Sequence, residues 1–185
     1  MAFLWVTLLV GCAVPPGAKE PIAVAIAPGV SMVLPQPGEL DRSIEAVQMV
    51  TARQGSDTFT LEGRLSARPD KVLIVSSDSM GRRAMTIRWT GLAIEAERAN
   101  WMPVGLKPEN VLADLMLMYW PRASVEKALG GSAHVTDGAG ERVISRDGQP
   151  LIRIRYEGAA LSGRVTLTNV VWSYEIEVRS MILAP

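Results

Sequence analysis

The chain of 185 residues has one cysteine, Cys12, one histidine, His134, and no net charge. A single thiol rules out disulfides within the chain and thiolate metal clusters, so stability has to come from packing. Nineteen basic and nineteen acidic residues are interspersed rather than blocked, which gives no footprint for a nucleic-acid partner or a polybasic membrane patch. His134 lies near Ser132 and Asp137, but the stretch is Gly-rich and turn-like and has no nucleophile elbow. These three side chains therefore read as solvated loop residues rather than a triad. Glu95, Glu97, Glu175 and Glu177 alternate with apolar residues, as solvent faces of strands do, and no metal-ligand cluster is visible. The sequence thus offers no catalytic residue, no metal site and no cofactor, and the expectation is a protein that is not an enzyme.

What is present begins with an uncharged apolar run from Met1 to Gly11 that stops at Cys12. It is too short to cross a bilayer, which takes about 20 apolar residues, and it suits the apolar core of a signal peptide, although no Lys or Arg precedes it. Leu9-Val10-Gly11-Cys12 resembles the lipobox of bacterial lipoproteins. The resemblance implies a signal peptide over residues 1–11, lipid attachment (diacylglycerol and an amide-linked acyl chain such as palmitate) at Cys12, and anchoring on the periplasmic face of the outer membrane. Residues 12–40, with Pro at 15, 16, 21, 28, 35 and 37, read as a flexible tether.

Residues 41–185 read as one domain, since nearly half the chain is apolar and can bury a sizeable core. Phe59, Leu61 and Leu65 interleave with Thr58, Thr60, Glu62 and Arg64, and Met85, Ile87 and Trp89 with Thr86 and Arg88, which is the period of half-buried strands. The apolar run from Val72 to Val75 suggests a strand covered on both faces. Turn residues at Asp78-Ser79-Met80-Gly81, Thr90-Gly91 and Asp147-Gly148 favour hairpins. Between two such meanders, Pro108 opens a helix in which Val111, Leu112, Leu115, Met116, Met118 and Tyr119 recur at helical spacing, and residues 123–129 add a further turn or two. The expectation is a mainly β fold of nine to eleven strands, a strongly curved antiparallel sheet or incomplete β-barrel with a short helical lid.

Four stretches resemble the uncharacterised bacterial lipoproteins related to LolA and LolB that accompany aryl-polyene biosynthesis genes. They are residues 81–91, residues 111–121, Arg142 through Tyr156, and Gly163 through Tyr174, in the order that family shows. The resemblance implies a LolB-like half barrel around an apolar cavity, used to hold acyl chains in the periplasm. It also gives Met80 a meaning, as the exposed apolar residue of a membrane-contacting loop.

Met80, Met85, Met102, Met116, Met118, Trp89, Trp101, Trp120 and Tyr119 supply soft, adaptable apolar bulk that suits such a pocket. The residues expected to line it are Phe59, Leu61, Met85, Ile87 and Trp89 from the sheet, opposite Leu112, Leu115, Met116 and Tyr119 of the lid. Expected partners are a lipid or acylated cargo, such as a lipidated protein or a lipid-linked polyene, the outer membrane, and other envelope transport proteins. The alternative is a packed, non-transporting scaffold lipoprotein that holds partner envelope proteins.

Overall fold

Alternation decides where the strands fall. The computed structural model describes residues 21–103 and 105–183; Cys12, the signal segment and residues 12–20 of the expected tether lie outside them. In chain order the elements are β1 (Ala23–Ala27), β2 (Val30–Val33), a 3-10 turn (Pro37–Leu40), β3 (Ile44–Gln54), β4 (Asp57–Arg68), β5 (Lys71–Ser77), β6 (Arg83–Trp89) and β7 (Ile94–Arg98). After them come α1 (Pro108–Tyr119), α2 (Arg122–Leu129), β8 (His134–Gly138), β9 (Glu141–Arg146), β10 (Gln149–Glu157), β11 (Arg164–Asn169) and β12 (Tyr174–Ile182). The fold is mainly β with two helices.

Ten strands form one antiparallel sheet in the order β7-β6-β5-β4-β3-β12-β11-β10-β9-β8. Each neighbouring pair is a hairpin except β3 with β12, which joins the two meanders along nine paired positions from Gln54–Tyr174 to Ala46–Ile182. The edges β7 and β8 do not pair with each other, so the sheet is not closed into a barrel. At the β9–β10 turn Asp147 and Gly148 both take positive φ, 52° and 75°, which is the geometry of a tight two-residue hairpin and the reason Asp-Gly occurs there. Val72 is fully buried, but Leu73, Ile74 and Val75 are only half-buried, so β5 is not covered on both faces as its apolar run suggested.

Residues 21–40 are not a tether where they are described. β1 and β2 form their own hairpin, and Val24, Ile26, Val30, Met32, Leu34 and Leu40 are buried in the common core. This accounts for twelve strands among the described residues where nine to eleven were expected. With α1, α2 and the 3-10 turn, the hairpin makes a second layer over one face of the large sheet: β1 packs on α1, and β2 and β8 pack on α2. Two indoles fix the connection to that layer, Trp89 Nε1 donating to Pro35 O at 3.2 Å and Trp120 Nε1 to Gln36 O at 3.2 Å.

Pro108 sits in the first turn of α1, where its missing N–H costs nothing, and Pro121 stops the helix one residue past Trp120. All eight residues from Leu112 to Tyr119 are buried. The breadth of apolar residues around this helix was legible in the sequence, and its cause is cover on every side by the sheet and by β1. α1 is a central helix rather than an exposed lid.

Candidate functional site

Strand register arranges the inner face in rows, and the rows show where the second layer stops. In one row Phe59, Ala52, Ile176, Leu167 and Ile154 are successive neighbours from β4 to β10. Leu167 and Ile154 are fully buried, Ala52 and Ile176 half-buried, and Phe59 is 42% exposed. The row beside it repeats the gradient, with Val165 and Val178 buried while Val50 and Leu61 are half-buried. β5 ends at Ser77 opposite Glu62, so residues 57–61 of β4 run on beyond it. The result is a corner of apolar inner face on β3, β4 and β12 that the second layer leaves partly open.

The expected lining residues therefore separate into two groups. Met85, Ile87, Trp89, Leu112, Leu115, Met116 and Tyr119 are brought together, but as members of one buried cluster in which none is more than 5% exposed. Ile87, Leu112, Met116 and Leu117 have no water-accessible surface at all, so the space between α1 and the sheet is filled by side chains. Phe59 and Leu61 lie on the same face at the margin of that cluster, Leu61 half-buried and packed against it and Phe59 exposed in the open corner. Met80 stands 72% exposed at the β5–β6 tip, where Asp78 accepts N–H bonds from Met80 at 3.0 Å and Arg82 at 2.9 Å. The Arg82 guanidinium lies 5.2 Å from the ring centre of Trp101, itself 44% exposed.

Polar residues hold α1 at its C-terminal end and at its middle in different ways. A helix leaves its last carbonyls without intrahelical donors, and here each finds one. Arg142 Nη1 donates to Leu117 O at 2.9 Å and Trp120 O at 2.8 Å, the Tyr156 hydroxyl donates to Met118 O at 2.8 Å, and Arg42 Nη2 reaches Tyr119 O at 3.5 Å. Arg142 is itself buried, on the inner face of β9, and Asp137 takes its Nε and Nη2 hydrogens at 2.8 and 3.0 Å. Burial is the largest single influence and works against the guanidinium charge, but the hydrogen bonds to Asp137 together with the Coulombic effects of Tyr156 and Asp137 outweigh it and the group is held above its ordinary pKa. A cation at this position also complements the negative end of the helix. Burial pushes the Tyr156 hydroxyl up to about 12, so it remains a donor. An open cleft of about 430 Å³ lies at this helix end, lined by Asp41, Arg42, Pro121, Arg142, Tyr156 and Ala160 among others.

The middle of α1 is different. Asp114 is buried within the apolar run and receives one side-chain hydrogen bond, from the Tyr174 hydroxyl at 2.8 Å. Burial raises its carboxyl to about 7, and the Tyr174 bond opposes the shift only in part. Tyr119, one turn on, exchanges hydrogen bonds with Gln48 Nε2 at 3.2 Å and Ser180 Oγ at 3.5 Å. Asp114, Tyr174 and Arg142 were not singled out from the sequence. An Asp inside an otherwise apolar helical stripe was the signal that could have found the first of them.

The rejected triad residues are accounted for. His134 is exposed, Ser132 Oγ donates to Leu129 O at 2.6 Å, and Asp137 serves Arg142. Among the described residues no group of His, Cys, Asp and Glu could hold a metal ion, and no helix is long and apolar enough to cross a membrane.

Comparison with known families adds one match, which covers residues 45–182, from the start of β3 to the end of β12. The chain belongs to the DUF3261 family. That family is described as a protein of unknown function, so membership names the domain and leaves its activity open. The DUF3261 region takes in the whole large sheet and both helices, while the β1–β2 hairpin that packs on α1 precedes it. No curated protein matches the chain.

Proposed function

We propose that this DUF3261 protein is an envelope lipoprotein that handles acyl chains at the open corner of its sheet. It passes a lipidated protein or a lipid-linked product, of the aryl-polyene kind, to the outer membrane in which its own Cys12 lipid sits. The observation that carries the reading is the exposure gradient along the rows ending at Phe59 and Leu61, where core-facing apolar surface continues past its cover. Contiguous exposed apolar surface, rather than a single stray side chain, is what marks a binding site. Met80 and Trp101, exposed on neighbouring loops joined through Arg82, extend the apolar surface that a membrane or acyl cargo would meet.

A curved, LolB-like sheet fits the reach of α1. The helix contacts both β7 and β11, six places apart in the sheet. In a flat sheet those strands would lie about 29 Å apart, at about 4.8 Å per strand. A helix of twelve residues is only about 18 Å long, so bridging them favours strands that bend toward it.

The scaffold reading has its own support in the filled space between α1 and the sheet. It places acyl contact nowhere, and treats the open corner as a surface for a partner protein. Displacement of a fluorescent fatty acid separates the two. Acyl handling requires saturable uptake that Phe59→Glu abolishes while the far-UV spectrum stays unchanged. A scaffold gives no saturable uptake in either protein.

A further inference from the structure

Asp114 stands where the filled part of the core meets the open corner. Its partner Tyr174 begins β12 opposite Gln54, and Ile176, two residues on along the same face, lies in the row that ends at Phe59. The C-terminal end of α1 is tied to the sheet through backbone carbonyls whose donors stay protonated across the neutral range, so that end stays fixed there. The middle is tied through a carboxyl with one donor. Among the described residues no cation is paired with it. β1 has no ionisable residue, and neither does β11 beyond Arg164, which is paired with Glu157. On β7, Glu95 and Glu97 are exposed and Arg98 serves the carbonyls of Met102 and Pro103. On β12, Glu175 and Glu177 pair with Arg53, Arg164 and Arg179. β3 presents neutral Gln48, and β9 and β10 present Arg142 and Tyr156 at the helix end. On the helix itself Glu109, with Lys107 just before it, is more than a turn away.

We infer that Asp114 is a proton-operated catch: protonated, it stays buried beside Tyr174 and keeps the first half of α1 on the inner face; ionised, it is drawn toward water in spite of the Tyr174 bond, which frees that half and widens the open corner. The proton passes to solvent and no other bond is made or broken. The inference rests on the acyl-handling reading for its purpose, but its mechanism is testable apart from it. A buried carboxylate without a cation is costly in an apolar surround, and the raised affinity for a proton puts the change near neutral pH.

The test is hydrogen exchange of the α1 amides in the full chain from about pH 4.5 to about pH 8.5, corrected for the intrinsic rate. It is run beside uptake of N-phenyl-1-naphthylamine, an apolar dye that stays uncharged over this range. In the native protein, protection over the first half of α1 falls by up to about tenfold per pH unit as pH rises toward about 7 and is level above it, and the last turn is unaffected. Asp114→Asn removes the pH dependence and leaves the helix protected throughout. Tyr174→Phe deletes a bond that favours the ionised form, so the transition moves to higher pH. Protection in the native protein that tracks Asp114→Asn at every pH overturns the catch, as does a transition that moves down in Tyr174→Phe. If protection shifts as expected and no dye enters at any pH, the catch stands and the acyl-handling reading fails.

Discussion

The two halves of α1 bury polar groups under opposite terms. At the C-terminal end Arg142 brings a full charge into the core, and Asp137 and two carbonyls take its hydrogens; in the middle Asp114 brings a carboxyl that meets one hydroxyl. Both are inner-layer residues in apolar surroundings, so burial alone does not separate them. The number and sign of partners does. A buried charge with its hydrogen bonds complete acts as a fixed joint, while one with a single partner remains sensitive to protonation.

The largest expected effect comes from breaking the fixed joint. Arg142→Met leaves the Asp137 carboxylate and the carbonyls of Leu117 and Trp120 without their donor. The loss is about 3–5 kcal/mol by urea denaturation at neutral pH. Arg142→Lys recovers only part of it, because an ammonium cannot serve a bidentate carboxylate and two carbonyls from one planar group. Leu115→Ala, deep beside Asp114, comes next at about 3 kcal/mol, within the roughly 2–5 kcal/mol range for deleting a buried leucine. If α1 moves in function, the same variant also changes acyl affinity and release; a static helix changes stability alone.

Asp114→Asn should act in the opposite direction, and only over part of the pH scale. The ordinary carboxyl value is 3.8 and the buried one about 7. Between them the unfolded chain has lost a proton that the folded chain keeps, so native stability falls as pH rises through this window and is level on either side. The variant therefore matches the native protein near pH 4 and exceeds it by about 2–4 kcal/mol above pH 7. Urea midpoints at both pH values check this, and an equal difference at both would sink it. The smallest effects belong to the exposed residues. Phe59→Ser and Met80→Glu each change stability by less than about 0.5–1 kcal/mol, while liposome association falls. Unchanged liposome association in both would remove the corner and the tip from the functional surface.

The same contrast explains what could be read from the sequence. Strands whose apolar residues alternate, such as Met85, Ile87 and Trp89, were legible because one face of the sheet is buried and the other wet. Asp147-Gly148 was legible because only certain residues accept two positive φ angles in succession. The β1–β2 hairpin was not, although Val24, Ile26, Val30, Met32 and Leu34 alternate as faithfully as any strand here. Its prolines read as a tether, whereas Pro28 with Gly29 forms the hairpin turn and Pro35 follows β2. For the site, the sequence gathered nine apolar residues but could not say that seven would fill the core, that Leu61 would pack half-buried against it and that Phe59 would stand exposed. That division depends on how far α1 and β1 extend over the sheet. Arg142 meets Asp137 five positions away, but its bonds to α1 and the Asp114–Tyr174 bond join residues 22 to 60 positions apart, which no local pattern records.

Photolabelling places acyl contact most directly. A palmitate analogue carrying a diazirine at the chain end, mixed with the full chain and irradiated, should label Phe59 and Leu61 saturably, with unlabelled palmitate competing. The account predicts more label when Asp114 is ionised than when it is protonated. Label that does not saturate, or that avoids residues 57–61 altogether, would contradict acyl handling at the open corner.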